Sequence, residues 1–179
     1  MKSPYLTKLL AAGPGRKTRL HDEKGNFIGL KRLIVSTPRA FSTGLLRIGC
    51  GYRPELPWIS YQAIDTLDRF LSRTSRVLEF GSGMSTIWYA RRAAEVYSVE
   101  DSKPWFDKVN DFMQKRHIDN VRLHYATDIA EYSQYVANDR TGFDLIAVDG
   151  NFRHECTARA LPLLRRAGFS IWIIQTGAW

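Results

Sequence analysis

The sequence predicts a doubly wound, mostly parallel α/β sheet, on three observations. Short apolar runs rich in β-branched and aromatic residues alternate with stretches of helical period, glycines stand where one gives way to the next, and no internal repeat or low-complexity stretch breaks the alternation. Residues 60–72 set Tyr61, Ile64, Leu67 and Leu71 at helical spacing and predict a helix ahead of the first strand. That strand is 76–80, with Val77, Leu78 and Phe80, and the helix after it is 87–94. A second strand, 95–99, ends at Glu100. The run 103–115 reads as a helix, with Pro104 tolerated in its first turn and Trp105, Val109, Phe112 and Met113 on one face. Strand three is 121–125 and leads to Asp128; a short helix follows at 129–136, then strand four at 144–148, a helix at 156–166 and strand five at 170–174.

Ligands of open α/β sheets lie beyond the carboxyl ends of the strands, so the candidate site residues fall in 81–85, 100–101, 127–128 and 149–154. The first group is a Gly-Ser-Gly turn in which Gly81 and Gly83 allow positive φ and let a ligand approach the backbone, while Ser85 or Thr86 can cap the helix. A tight turn serving only packing gives the same pattern. Glu100 lies 21 positions after Glu79, the spacing at which an acid at the end of the second strand meets a ribose hydroxyl pair. In a dinucleotide fingerprint the place five after Gly81 holds a third glycine; here it holds Thr86, which disfavours a nicotinamide cofactor.

The segment VLEFGSGMST (77–86), with YSVE (97–100) after it, resembles motif I and the acidic strand end of class I S-adenosylmethionine-dependent methyltransferases. Pro57-Trp58-Ile59-Ser60-Tyr61 and the run Phe143-Asp144-Leu145-Ile146-Ala147-Val148-Asp149-Gly150 resemble bacterial small-molecule members of that class, so that the likeness spans roughly 54–174. It implies a Rossmann-like methyltransferase fold that binds S-adenosyl-L-methionine. Glu79, Gly81, Ser82, Gly83, Ser85 and Thr86 would then surround the methionine end, Glu100 the ribose and Asp128 the adenine amino group, and Asp149 would orient the sulfonium end or an acceptor hydroxyl. His154 is the imidazole placed to act as general base. Bland readings stand beside these: Asp149 as a helix cap, and His154 as a surface histidine. Some relatives bind a divalent metal through carboxylates at the ends of strands four and five; here Gln175-Thr176-Gly177 follows strand five, and with Asp149 alone no metal is expected. The family sheet continues with two further strands, and this chain stops at Trp179, so a truncated sheet lacking those strands is expected. Its fifth strand would then be an apolar edge open to homodimer formation.

The excess of positive charge is confined to one end. Residues 1–50 hold ten Lys or Arg against Asp22 and Glu23, a net +8 equal to that of the whole chain. Residues 1–53 therefore read as a basic N-terminal extension, and 54–179 as the cofactor domain. The extension fits a solvated arm or lid, or an acidic partner such as an anionic acceptor or a membrane surface; nucleic acid is disfavoured because the aromatics of residues 1–50 are only Tyr5, Phe27 and Phe41. No apolar run reaches the ~20 residues of a membrane span, and Cys50 and Cys156 offer no disulfide framework or metal spacing, so a cytoplasmic protein is expected. Three functions remain open: methyl transfer to an oxygen or nitrogen of a small molecule, an inactive or truncated cofactor-binding domain, and a nucleic-acid methyltransferase or binder.

Overall fold

The computed structural model describes residues 55–172. The expected basic extension and the last two residues of the expected fifth strand, Ile173 and Ile174, lie outside them. Backbone contacts divide the chain into two units, one of residues 1–54 and 58–68 and one of 55–57 and 69–179. Helix α1 (Tyr61–Phe70) belongs mainly to the first. The Ser60 hydroxyl caps it by accepting from the Ala63 N–H (3.2 Å), and Tyr61, Ile64 and Leu67 form its buried face.

The second unit is a five-stranded parallel sheet in the order β3-β2-β1-β4-β5. Its elements run β1 (Arg76–Phe80), α2 (Met84–Ala90), β2 (Glu95–Glu100), α3 (Lys103–Lys115), β3 (Val121–Tyr125), α4 (Ile129–Ser133), β4 (Phe143–Val148), α5 (Arg153–Ala160), a 3₁₀ turn at Leu161–Leu163 and β5 (Leu164–Trp172). A parallel sheet is covered on both faces, so its central strands must be apolar on both. β1 and β4 meet this: Val77, Leu78, Phe80, Leu145, Ile146, Ala147 and Val148 are all buried. Leu78, Phe80, Val99 and Ile146 pack with Tyr132 of α4 and Cys156 and Ala160 of α5, while Ile87 of α2 packs with Val109 and Met113 of α3. Each large apolar side chain withdrawn from water in this way contributes about 1.5–3 kcal/mol.

Four elements differ in their bounds from expectation. Helix α2 starts at Met84 rather than 87, with Gly83 at the cap position, because the hydroxyls of Ser85 and Thr86 are turned onto Glu79. The helix expected over 156–166 runs instead from Arg153 to Ala160; Pro162 has no N–H to continue it, and the chain tightens into the 3₁₀ turn. Strand β5 accordingly begins at Leu164 rather than 170, pairs Leu164 with Phe143, and regains a regular register from Phe169 opposite Leu145 after an irregularity. The short helix expected over 129–136 stops at Ser133. No described helix is long and apolar enough to cross a membrane.

Candidate functional site

Strand order reverses between β1 and β4, which makes their carboxyl ends the switch point at which open α/β sheets bind ligands. The two turns that leave these strands press against each other. Gly81 has φ +96°, and a Cβ on it would lie 2.5 Å from the Gly150 nitrogen; a Cβ on Gly150 would lie 2.9 Å from the Gly81 Cα. Both residues must therefore be glycine, and the close approach that Gly81 permits is made by the neighbouring turn. Gly83 is different: its backbone is extended (φ −174°), and an added side chain would meet only ordinary contacts.

Beneath the turn lies Glu79, 1 % exposed. Strand alternation aims it at the α2 side, in register with Ser98 of β2. Its carboxylate accepts from the hydroxyls of Ser85 (2.5 Å), Thr86 (2.5 Å) and Ser98 (2.7 Å). Burial nevertheless outweighs these donors and pushes its pKa up to about 7. Thr86 Oγ1 also accepts from the Gly83 N–H (2.9 Å), so one buried acid fixes the first turn of α2 and the glycine turn together.

Glu100, 5 % exposed, ends β2. Its two oxygens accept from the backbone N–H groups of Ser82 and Ser102 (2.9 Å each), and burial raises its pKa to about 7. Each oxygen keeps a further lone pair for a ligand. Asp149 follows β4; its Oδ1 is buried and has no hydrogen-bond partner, and desolvation lifts its pKa to about 6. Asp128 is exposed and caps α4, its Oδ1 accepting from the Glu131 N–H (2.8 Å). His154 is exposed in the first turn of α5. The structure thus gathers Gly81, Ser82, Gly83, Glu100 and Asp149 at one edge and sets Glu79, Ser85 and Thr86 directly under them. No group of three His, Cys, Asp or Glu side chains placed to hold a metal ion occurs among the described residues.

No family model matches the sequence. A protein-L-isoaspartate O-methyltransferase of Cellvibrio japonicus is 27% identical over an alignment that covers 68% of this chain and 64% of the relative, so the chain spans just under two thirds of that protein's length. Among solved structures, a protein of Staphylococcus aureus assigned as a caffeoyl-CoA O-methyltransferase superposes with a TM-score of 0.57 (19% identity, 79% of this chain, 71% of that one). A methyltransferase candidate of Streptococcus mutans, solved with S-adenosylhomocysteine, superposes with a TM-score of 0.52 (16% identity, 62% of this chain, 69% of that one). The fold is that of a class I S-adenosylmethionine-dependent methyltransferase.

Several residues of this edge carry no signal in the sequence. The Trp105 indole N–H donates to the Ser82 carbonyl (2.5 Å), tying α3 to the turn, although its helical spacing marks it only as a core residue. Asn151 Nδ2 donates to Asp101 Oδ2 (2.7 Å) and bridges the ends of β4 and β2 across 50 positions. Phe152, 39% exposed, holds a left-handed backbone (φ 52°, ψ 38°), which is rare for a bulky residue. The Tyr132 hydroxyl ends inside the site without a partner. Only the order Asp128-x-x-x-Tyr132 hinted at it, since residues four apart share a helix face.

Proposed function

We propose that this domain binds S-adenosyl-L-methionine at the β1/β4 switch point and transfers its methyl group to an oxygen or nitrogen of a small acceptor. The observation that carries this is the Asp149 carboxylate: a buried oxygen with no partner, in an acid that would be ionised above pH about 6, suits a cationic ligand end. Glu100, fixed by two amides with lone pairs to spare, suits a ribose diol. The relatives named above supply the same cofactor chemistry by likeness, one of them having been solved with S-adenosylhomocysteine.

When bound, the cofactor supplies an electrophilic methyl on sulfur. Asp149 would hold its cationic end, Glu100 the ribose hydroxyls, Gly83 and Ser85 the methionine side, and the second oxygen of Asp128 the adenine amino group. Glu79 and Thr86 act from beneath, by fixing the turn. An imidazole nitrogen of His154, at the exposed start of α5, takes the proton of the acceptor. Proximity within the closed edge contributes most of the rate. The acceptors named for the relatives differ, protein L-isoaspartate in one and caffeoyl-CoA in the other, so the acceptor is sought by screening. A cytoplasmic location and self-association through β5, one of the two edge strands among the described residues, belong to the same proposal.

Calorimetric titration with S-adenosylhomocysteine, and with NAD as the control, tests the reading. Saturable binding of the first alone, weakened in Glu100→Ala, is expected. Binding of NAD, or of neither ligand, would overturn it. Transfer of a labelled methyl group to small phenols, carboxylates, amines, peptides and RNA then identifies the acceptor.

A further inference from the structure

Tyr132 is a buried polar residue to which the reading above gives no task. It stands on α4 with 0% exposure, its ring edge-on to Phe152 (5.8 Å between centroids, 71°) and tilted against Phe80 (5.9 Å, 46°). These contacts aim its phenol oxygen at Gly150, where a built Cβ would lie 1.9 Å from it. The oxygen therefore ends in the seam between the turns that leave β1 and β4.

The backbone donors of that seam are already spent. Asp149 N–H (2.8 Å) and Gly150 N–H (2.7 Å) both donate to the Phe80 carbonyl, Gly81 N–H donates to the Val99 carbonyl (2.9 Å), and Ser82 N–H donates to Glu100. Tyr132 has no partner among these groups or elsewhere among the described residues. A buried hydroxyl without a partner destabilises the fold, and phenylalanine would fill the same space without that cost. Burial and the neighbouring acids, Glu100 foremost, hold the phenol in its protonated form, so it acts as a donor. Glu100, when ionised, can only accept. A ribose hydroxyl does both at once, giving its proton to a carboxylate while its oxygen takes one from a phenol.

We propose that Tyr132 is a ligand-binding residue of this site, donating from its hydroxyl to a ribose oxygen of the bound nucleoside beside Glu100. The inference rests on the S-adenosylmethionine reading. A ligand reaches the oxygen when the turn 149–152 moves off the seam, and that turn carries the left-handed Phe152, whose ring covers Tyr132.

The test compares Tyr132→Phe with Tyr135→Phe, whose hydroxyl does have a partner, the Arg122 carbonyl at 2.9 Å. Each full-length variant is titrated with S-adenosylhomocysteine and with 5′-methylthioadenosine, which keeps the nucleoside and lacks the amino-acid end, and its melting temperature without ligand is recorded. Tyr132→Phe is expected to bind both ligands about tenfold more weakly, with a melting temperature equal to or above that of the wild type. Tyr135→Phe is expected to melt lower and bind both unchanged. Wild-type affinity in Tyr132→Phe overturns the inference, with or without a fall in melting temperature. A loss seen only with S-adenosylhomocysteine places the hydroxyl at the amino-acid end and overturns the ribose assignment. A wild-type chain that binds neither ligand fails at the earlier step and refutes the cofactor reading itself.

Discussion

Glutamine at position 79 isolates the electrostatics beneath the glycine turn. Glu79 is 1 % exposed, and its pKa lies at about 7 in the folded chain against 4.5 for the free side chain, burial being the largest cause. The folded state therefore holds a proton that the unfolded state has released between these values. Stability from this group is complete below pH 4.5 and is lost as pH rises through about 7. At 1.36 kcal/mol for each tenfold change in acidity, the loss amounts to about 3 kcal/mol. Glu79→Gln removes the titration and keeps the shape. Urea unfolding of both proteins from pH 4.5 to pH 8 is the assay. The stability of the wild type minus that of the variant should fall by about 3 kcal/mol across the range. Glu100 and Asp149 also titrate there but are present in both proteins, so most of their contribution cancels in the difference. A difference that stays level, or that grows with pH, would refute the reasoning, because it would mean that the Ser85, Thr86 and Ser98 hydroxyls outweigh desolvation.

Three further outcomes are expected. S-adenosyl-L-methionine affinity should drop about tenfold between pH 7 and pH 5 as Asp149 gains a proton, and the drop should shrink in Asp149→Asn; calorimetry across pH measures both. Arg76→Ala should cost about 3 kcal/mol in thermal unfolding. Arg76 is nearly buried, bonds both oxygens of Asp139 (2.8 and 3.1 Å), Glu95 (2.9 Å) and the Gly142 carbonyl (2.8 Å), and lies over the Tyr97 and Phe143 rings. Gly150→Ala should destabilise by about 2 kcal/mol through overpacking, and adding Tyr132→Phe should restore part of that, since the nearest clash is with the phenol oxygen; chemical denaturation of the single and double variants checks the coupling.

The sequence itself determined the alternation of strands and helices and the strand ends beyond which open α/β sheets place their ligands. Val77, Leu78 and Phe80 admit burial on both faces, Gly81 stands where φ must be positive, and Glu100 closes β2 at the expected spacing. These are local properties: propensity, period and backbone freedom act within a few residues, so they can be read without the fold. Tertiary structure decided what each polar group does. Glu79 became a buried anchor because the Ser98 hydroxyl comes into register from β2 and those of Ser85 and Thr86 from α2. Gly81 faces Gly150 because β1 and β4 pair across 68 positions of sequence. The start of β5 was set by Pro162 and by pairing with β4, and its charged first residues gave no strand signal. The partnerless oxygens of Asp149 and Tyr132 arise in the same way, since a hydrogen bond is made or missed only when residues far apart in sequence are brought within about 3 Å.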